Sequence, residues 1–128
     1  MAKTKVLMVD DDPVFIDAVS AVLEQHFDVR AANNGKTALE AVAADPPDVI
    51  LLDVMMDHIS EGYDVARKIK NDPKTSHIKI IMLTGVDELY KYRLVVEDSG
   101  STPHDHYLEK PIDPDKLIET IREYAPGE

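Results

Sequence analysis

Four short apolar runs in this 128-residue chain each end on a polar group suited to phosphate chemistry. Val6-Leu7-Met8-Val9 ends on Asp10-Asp11-Asp12, Val49-Ile50-Leu51-Leu52 on Asp53, Ile78 to Leu83 on Thr84, and Tyr107-Leu108-Glu109 on Lys110. Two carboxylates about 4 Å apart repel by about 4 kcal/mol at an effective dielectric of 20, so gathering several is costly without a cation among them. Oxygen-only donors select a hard ion. Mg2+, with Mn2+ as the alternative, keeps several waters while taking one or two carboxylates and a phosphate oxygen. Asp11 and Asp53 read as direct ligands and Asp10 as a ligand through water, whereas Asp12 reads as a cap on the helix that Pro13 opens. Asp53 ends its run alone, which makes it the better nucleophile for an aspartyl phosphate. Thr84 and Lys110 would then contact the phosphoryl oxygens. Taken singly, Thr84 is equally a β-branched strand end and Lys110 a surface charge. Their joint placement favours the functional reading.

For these groups to meet, the apolar runs must lie side by side. Short buried-strand runs alternate with stretches of helical spacing five times. Lys5 to Val9 predicts the first strand, and Phe15, Ala18, Val19, Val22 and Leu23 share a face of the helix after it. Phe27 to Ala31 predicts a second strand, followed past Asn33-Asn34-Gly35 by a helix on Ala38, Leu39, Val42 and Ala43, stopped at Asp45-Pro46-Pro47. Val49 to Leu52 is the third strand, and a helix from about Glu61 to Lys70 buries Val65, Ala66 and Ile69. Ile78 to Leu83 is the fourth strand, with a fourth helix capped by Asp87 and carrying Leu89, Leu94 and Val95. Tyr107-Leu108 is a short fifth strand, and Asp113-Pro114 starts a fifth helix with Leu117, Ile118 and Ile121 inward. This order predicts an α/β, flavodoxin-like, doubly wound (βα)5 fold with a five-stranded parallel sheet in the order 2-1-3-4-5. Sites in such sheets form at the carboxyl ends of the strands, near the switch between the first and third. Asp11 and Asp53 stand at those two ends.

Length and composition bound the function. One domain is expected over residues 1–128, its core from about residue 4 to 124. With 44% hydrophobic and 30% charged residues the chain reads as a globular protein, and its apolar runs are too short to span a bilayer. Three aspartates soon after Lys5 break any secretory signal, and with no cysteine there is no disulfide framework, so a cytoplasmic protein is expected. The net charge of −11 argues against direct binding of nucleic acid.

Asp10-Asp11, Asp53 within Asp53-Val54-Met55-Met56, Thr84-Gly85 and Lys110-Pro111, in order and in matching strand context, closely resemble the receiver domain of two-component response regulators. The resemblance runs from Lys5 to about Tyr124 and suggests a standalone, single-domain receiver. It implies that Asp53 accepts phosphate from a sensor histidine kinase or histidine phosphotransfer protein, with Mg2+ required. It also implies that Met55 offers its backbone carbonyl to the metal, that Gly85 lies beside the phosphate with Thr84 and Lys110, and that the Lys110-Pro111 bond is cis. Such a protein assists its own phosphorylation and dephosphorylation without being a conventional enzyme. Thr84 and Tyr107 match the family's switch pair: Thr84 is drawn toward phosphate and Tyr107 turns inward. By itself Tyr107 reads equally as a half-buried strand aromatic. The switch alters the face of the fourth helix, fifth strand and fifth helix for an unknown downstream protein, with the chain a monomer or weak homodimer. Met55 and Val86 match the positions that tune hydrolysis, and neither side chain can orient water by hydrogen bonding, so a long-lived phosphoryl group is expected.

The chain departs from the family where Met56 is followed by Asp57-His58-Ile59-Ser60-Glu61-Gly62 instead of an early proline, giving an apparently longer loop, and where Glu97 to His106 is extended. His104 and His106 lack a third ligand and read as solvated. A Mg2+-dependent phosphatase with an aspartate nucleophile would need a second acid where Met55 stands. A flavin carrier would need a hydroxyl- or glycine-rich loop after the first strand. A fold-only binding module would not need the acids, Thr84 and Lys110. Because the sequence stops at Pro126-Gly127-Glu128, output through protein contact is expected.

Overall fold

A computed structural model describes residues 3–53, 59–85, 105–109 and 112–125. The chain runs β1 (Lys5–Val9), α1 (Pro13–Leu23), β2 (Asp28–Ala32), α2 (Gly35–Ala44), β3 (Val49–Asp53), α3 (Ile59–Asn71), β4 (Lys79–Thr84), β5 (His106–Glu109) and α4 (Pro114–Tyr124). The helix expected after Asp87 falls outside the described residues, so α4 is the helix expected from Asp113-Pro114. All strands pair in parallel, in the order β2-β1-β3-β4-β5.

The central strands are apolar between their polar end residues because both of their faces are covered. Successive side chains point to opposite sides. Leu7, Val9, Ile50, Leu52, Ile80 and Met82 pack with residues of α2 and α3, while Val6, Met8, Val49, Leu51, Ile81 and Leu83 pack with residues of α1 and α4. Ile50 is wholly buried on β3. Its replacement by alanine is expected to cost about 2–5 kcal/mol, read as a lower denaturant midpoint with an unchanged slope. No helix among the described residues is long and apolar enough to cross a membrane.

Local signals start the helices. Asp12 accepts from the amides of Val14 and Phe15 at 3.0 and 3.4 Å, ahead of Pro13. Asn34 and Thr37 form a reciprocal capping box at α2. Asp113 accepts from the Asp115 amide at 3.0 Å, ahead of Pro114. At the amino ends of the strands, a 2.9 Å hydrogen bond from the Lys5 ammonium holds the Asp45 carboxyl below its ordinary range.

Several expected boundaries move. Phe27 lies outside β2 because its amide donates to the Leu23 carbonyl at 2.9 Å, closing the turn after α1, although its side chain is buried. Ile78 likewise precedes β4, its amide donating to the Thr75 carbonyl at 3.0 Å. Helix α3, expected from about Glu61, begins two residues earlier and takes in Ile59 and Ser60. Ala18 and Ala43, expected on buried stripes, are exposed: each lies on its stripe's edge, beyond the line of contact with the sheet.

Candidate functional site

Strand register places the site. Val9 lies opposite Leu52, Asp53 opposite Leu83, and Thr84 opposite Glu109, so β1, β3, β4 and β5 finish along one rim. There Asp10, Asp11 and Asp53 each bring a carboxylate oxygen within 4.8 Å of the others. Asp10 and Asp53 are 1% and 5% exposed, whereas Asp11 is open to solvent.

The three consecutive aspartates have separate tasks. The Asp10 amide donates to the Ala32 carbonyl at 3.1 Å, tying the end of β1 to β2, and its carboxylate accepts from the Asp12 amide at 2.9 Å. Asp11 turns to the rim, and Asp12 caps α1 as expected. Asp12→Ala is therefore expected to cost about 1 kcal/mol of stability. Titration with Mg2+ should find its metal affinity at the wild-type value; a marked loss would place Asp12 in the metal site.

At 4.8 Å and an effective dielectric of 20, a pair of carboxylates repels by about 3.5 kcal/mol, a cost that a divalent cation removes. Three carboxylate oxygens, with no nitrogen or sulfur donor beside them among the described residues, fit a small hard ion. Asp11, Asp53 and Asp10 are the described residues that could hold it.

Thr84 is 1% exposed, and its hydroxyl donates to the Gly85 carbonyl at 3.0 Å. That bond must break before the hydroxyl can donate elsewhere. Tyr107, opposite Met82 on β5, is half-buried against the core cluster on the α2 and α3 side of the sheet. Lys110, Pro111, Met55 and Val86 lie outside the described residues, as does His104. His106 opens β5, its ring stacked on Tyr124 at 5.4 Å.

One positioning group escapes a reading of the sequence. Asp105, expected within a polar loop, donates its amide to the Ile80 carbonyl and accepts from the Ile80 amide, both at 2.8 Å. The same carboxylate pairs with the Lys70 ammonium at 2.8 Å, and Lys70 also donates to the Ile78 carbonyl at 2.7 Å. This clamp fixes the start of β5 on β4 and so the register of Tyr107 and Glu109. Nothing in the spacing of Lys70 and Asp105 announces the pair.

The sequence profile of the response regulator receiver domain matches residues 6–122. The chain belongs to the response regulator receiver domain family. Among curated relatives, this receiver is 30% identical to Protein PilH of Pseudomonas aeruginosa over 128 residues, 96% of this chain and 98% of that protein. It is 38% identical to response regulator PleD of Caulobacter vibrioides over 119 residues, 92% of this chain. Here the chain spans only 25% of the relative, and it spans 19% of a Vibrio cholerae relative matched at 44% identity over 85 residues. Among solved structures, chemotaxis response regulator CheY4 of Vibrio cholerae superposes with a TM-score of 0.80 at 27% identity, covering 96% of this chain and 99% of that one.

Proposed function

We propose that this receiver takes a phosphoryl group onto Asp53 from a histidine kinase or histidine phosphotransfer protein. A carboxylate oxygen of Asp53 attacks phosphorus, the P–N bond to the donor imidazole breaks, and the imidazole leaves with the bonding pair. Asp11 and Asp53 would hold Mg2+ directly, Asp10 through water and Met55 through its backbone carbonyl. Bound there, the ion offsets the negative charge of the incoming group. Lys110, Thr84 and Gly85 contact the phosphoryl oxygens, adding electrostatic stabilisation without a general base.

The observation that carries this reading is the meeting of three carboxylates from two strand ends within 4.8 Å, one of them Asp53 on central β3. After labelling, reduction by borohydride converts an aspartyl phosphate to homoserine. Peptide mapping should find homoserine at position 53, and its appearance elsewhere would reassign the acceptor.

Once Asp53 is phosphorylated, the Thr84 hydroxyl exchanges the Gly85 carbonyl for a phosphoryl oxygen, and Tyr107 turns into the space released. The change is read by a downstream protein on the face of the segment before β5, β5 itself and α4, in the cytoplasm. Met55 and Val86 offer no group to orient water, so the phosphoryl group is long-lived. Label on the isolated phosphoprotein should decay slowly, and rapid loss without a phosphatase would refute this.

A further inference from the structure

Two stretches of the chain are extreme in opposite senses. From Val6 to Val29 there is no lysine or arginine, while Asp10, Asp11, Asp12, Asp17, Glu24 and Asp28 supply six acids. Between Arg67 and Lys79 stand five of the chain's 14 lysines and arginines, with Asp72 the only acid among them. The first stretch builds α1, whose packed residues join one core cluster, and the second builds the end of α3, which joins the cluster across the sheet.

Helix α1 carries few polar residues, yet Leu23 is its only buried one. Val14 is 74% exposed, and Ala18 and Ala21, four and seven positions on, are exposed too. Spacing of this kind makes one ridge on a helix surface, with Asp17 and Glu24 along it. A helix apolar on nearly all sides is normally covered.

On the opposite side, the ends of α2 and α3 border a groove of about 460 Å3 with an apolar floor that includes Leu39, Val42 and Pro46, and with Lys68 and Lys74 against a single acid, Asp72, in its lining. Arg67 and Lys70 are paired with Asp64 and Asp105. Among the described residues, the Lys68 and Lys74 ammonium groups have no ion-pair or hydrogen-bond partner.

We propose that the α1 ridge of one copy seats in the α2–α3 groove of a second copy. Val14, Ala18 and Ala21 meet the apolar floor, and Lys68 and Lys74 face the acids beside the ridge. Pairing two copies through α1 and α4 alone would oppose like charges, because these helices and their caps expose Asp12, Asp17, Glu24, Asp113, Asp115, Glu119 and Glu123 against Lys116 and Arg122. Ridge and groove lie on different sides of the sheet, so the contact is heterologous and does not close at a dimer. At about 0.15 M salt the repulsion of the whole molecules is largely screened beyond about 8 Å, while charges in contact are screened less.

Sedimentation at that ionic strength should show the average mass passing twice 14.3 kDa without a plateau as the concentration rises. Val14→Lys blocks the ridge, and Lys68→Glu with Lys74→Glu blocks the groove. Each variant alone should stay monomeric with an unchanged circular dichroism spectrum, since all three positions are on the surface. Mixed, the two variants keep one working half each and should form dimers and nothing larger. A wild type that stays monomeric to about 1 mM, a plateau at the dimer, association of either variant alone, or failure of the mixture to pair would each overturn the proposal.

Discussion

Incubated with Mg2+ and a small acyl phosphate, the wild-type chain is expected to gain about 80 Da, one phosphoryl group, and Asp53→Asn to gain none. The substitution preserves size and removes the nucleophile, because an amide oxygen is far less able than a carboxylate to attack phosphorus. The structure makes this a demanding test. Asp10 and Asp11 present carboxylates within 4.8 Å of Asp53, so a donor that reaches one acid reaches all three. If Asp53 is the acceptor, intact mass shows complete loss in Asp53→Asn and retained gain in a Thr84→Ser control. A gain that survives in Asp53→Asn, at a rate near wild type, would mean that a neighbouring acid is the acceptor.

The second large effect concerns the cation. Three carboxylates so close destabilise the metal-free fold, and removing one charge relieves part of a repulsion of about 3.5 kcal/mol per pair. Because Asp11 is exposed and water screens it, the expected gain for Asp53→Asn without metal is on the order of 1 kcal/mol. Wild type should respond oppositely to Mg2+. At a hundredfold excess over the dissociation constant, binding to the folded state alone adds about 2.7 kcal/mol. Thermal unfolding with chelator and with Mg2+ should therefore cross over: the variant more stable without metal, the wild type more stabilised by it. Equal stabilities and equal responses in both proteins would show that the three acids do not share an ion.

Much of this was legible in the chain because it rests on local patterns. A strand buried on both faces must be apolar along most of its length, so Val6 to Val9, Val49 to Leu52 and Ile80 to Leu83 declared themselves, and with them the rim where Asp10, Asp53 and Thr84 stand. Caps such as Asp12 before Pro13 and Asp113 before Pro114 act within one turn, which a reading of neighbours captures. The boundary shifts at Phe27 and Ile78 came from single backbone hydrogen bonds of turns, which side-chain patterns do not encode.

Tertiary structure alone decided how the consecutive aspartates diverge, since the tie from Asp10 to Ala32 exists only once β2 lies beside β1. It alone brought Lys70 to Asp105, residues far apart in sequence whose pairing sets where β5 begins on β4. It also decided which apolar residues face water: periodicity marks a stripe on α1 from Phe15 to Leu23, but packing leaves its Ala18 exposed, along with Val14 and Ala21 outside the stripe. Elements follow from interactions within a few residues, whereas burial and long-range pairing depend on how those elements are stacked.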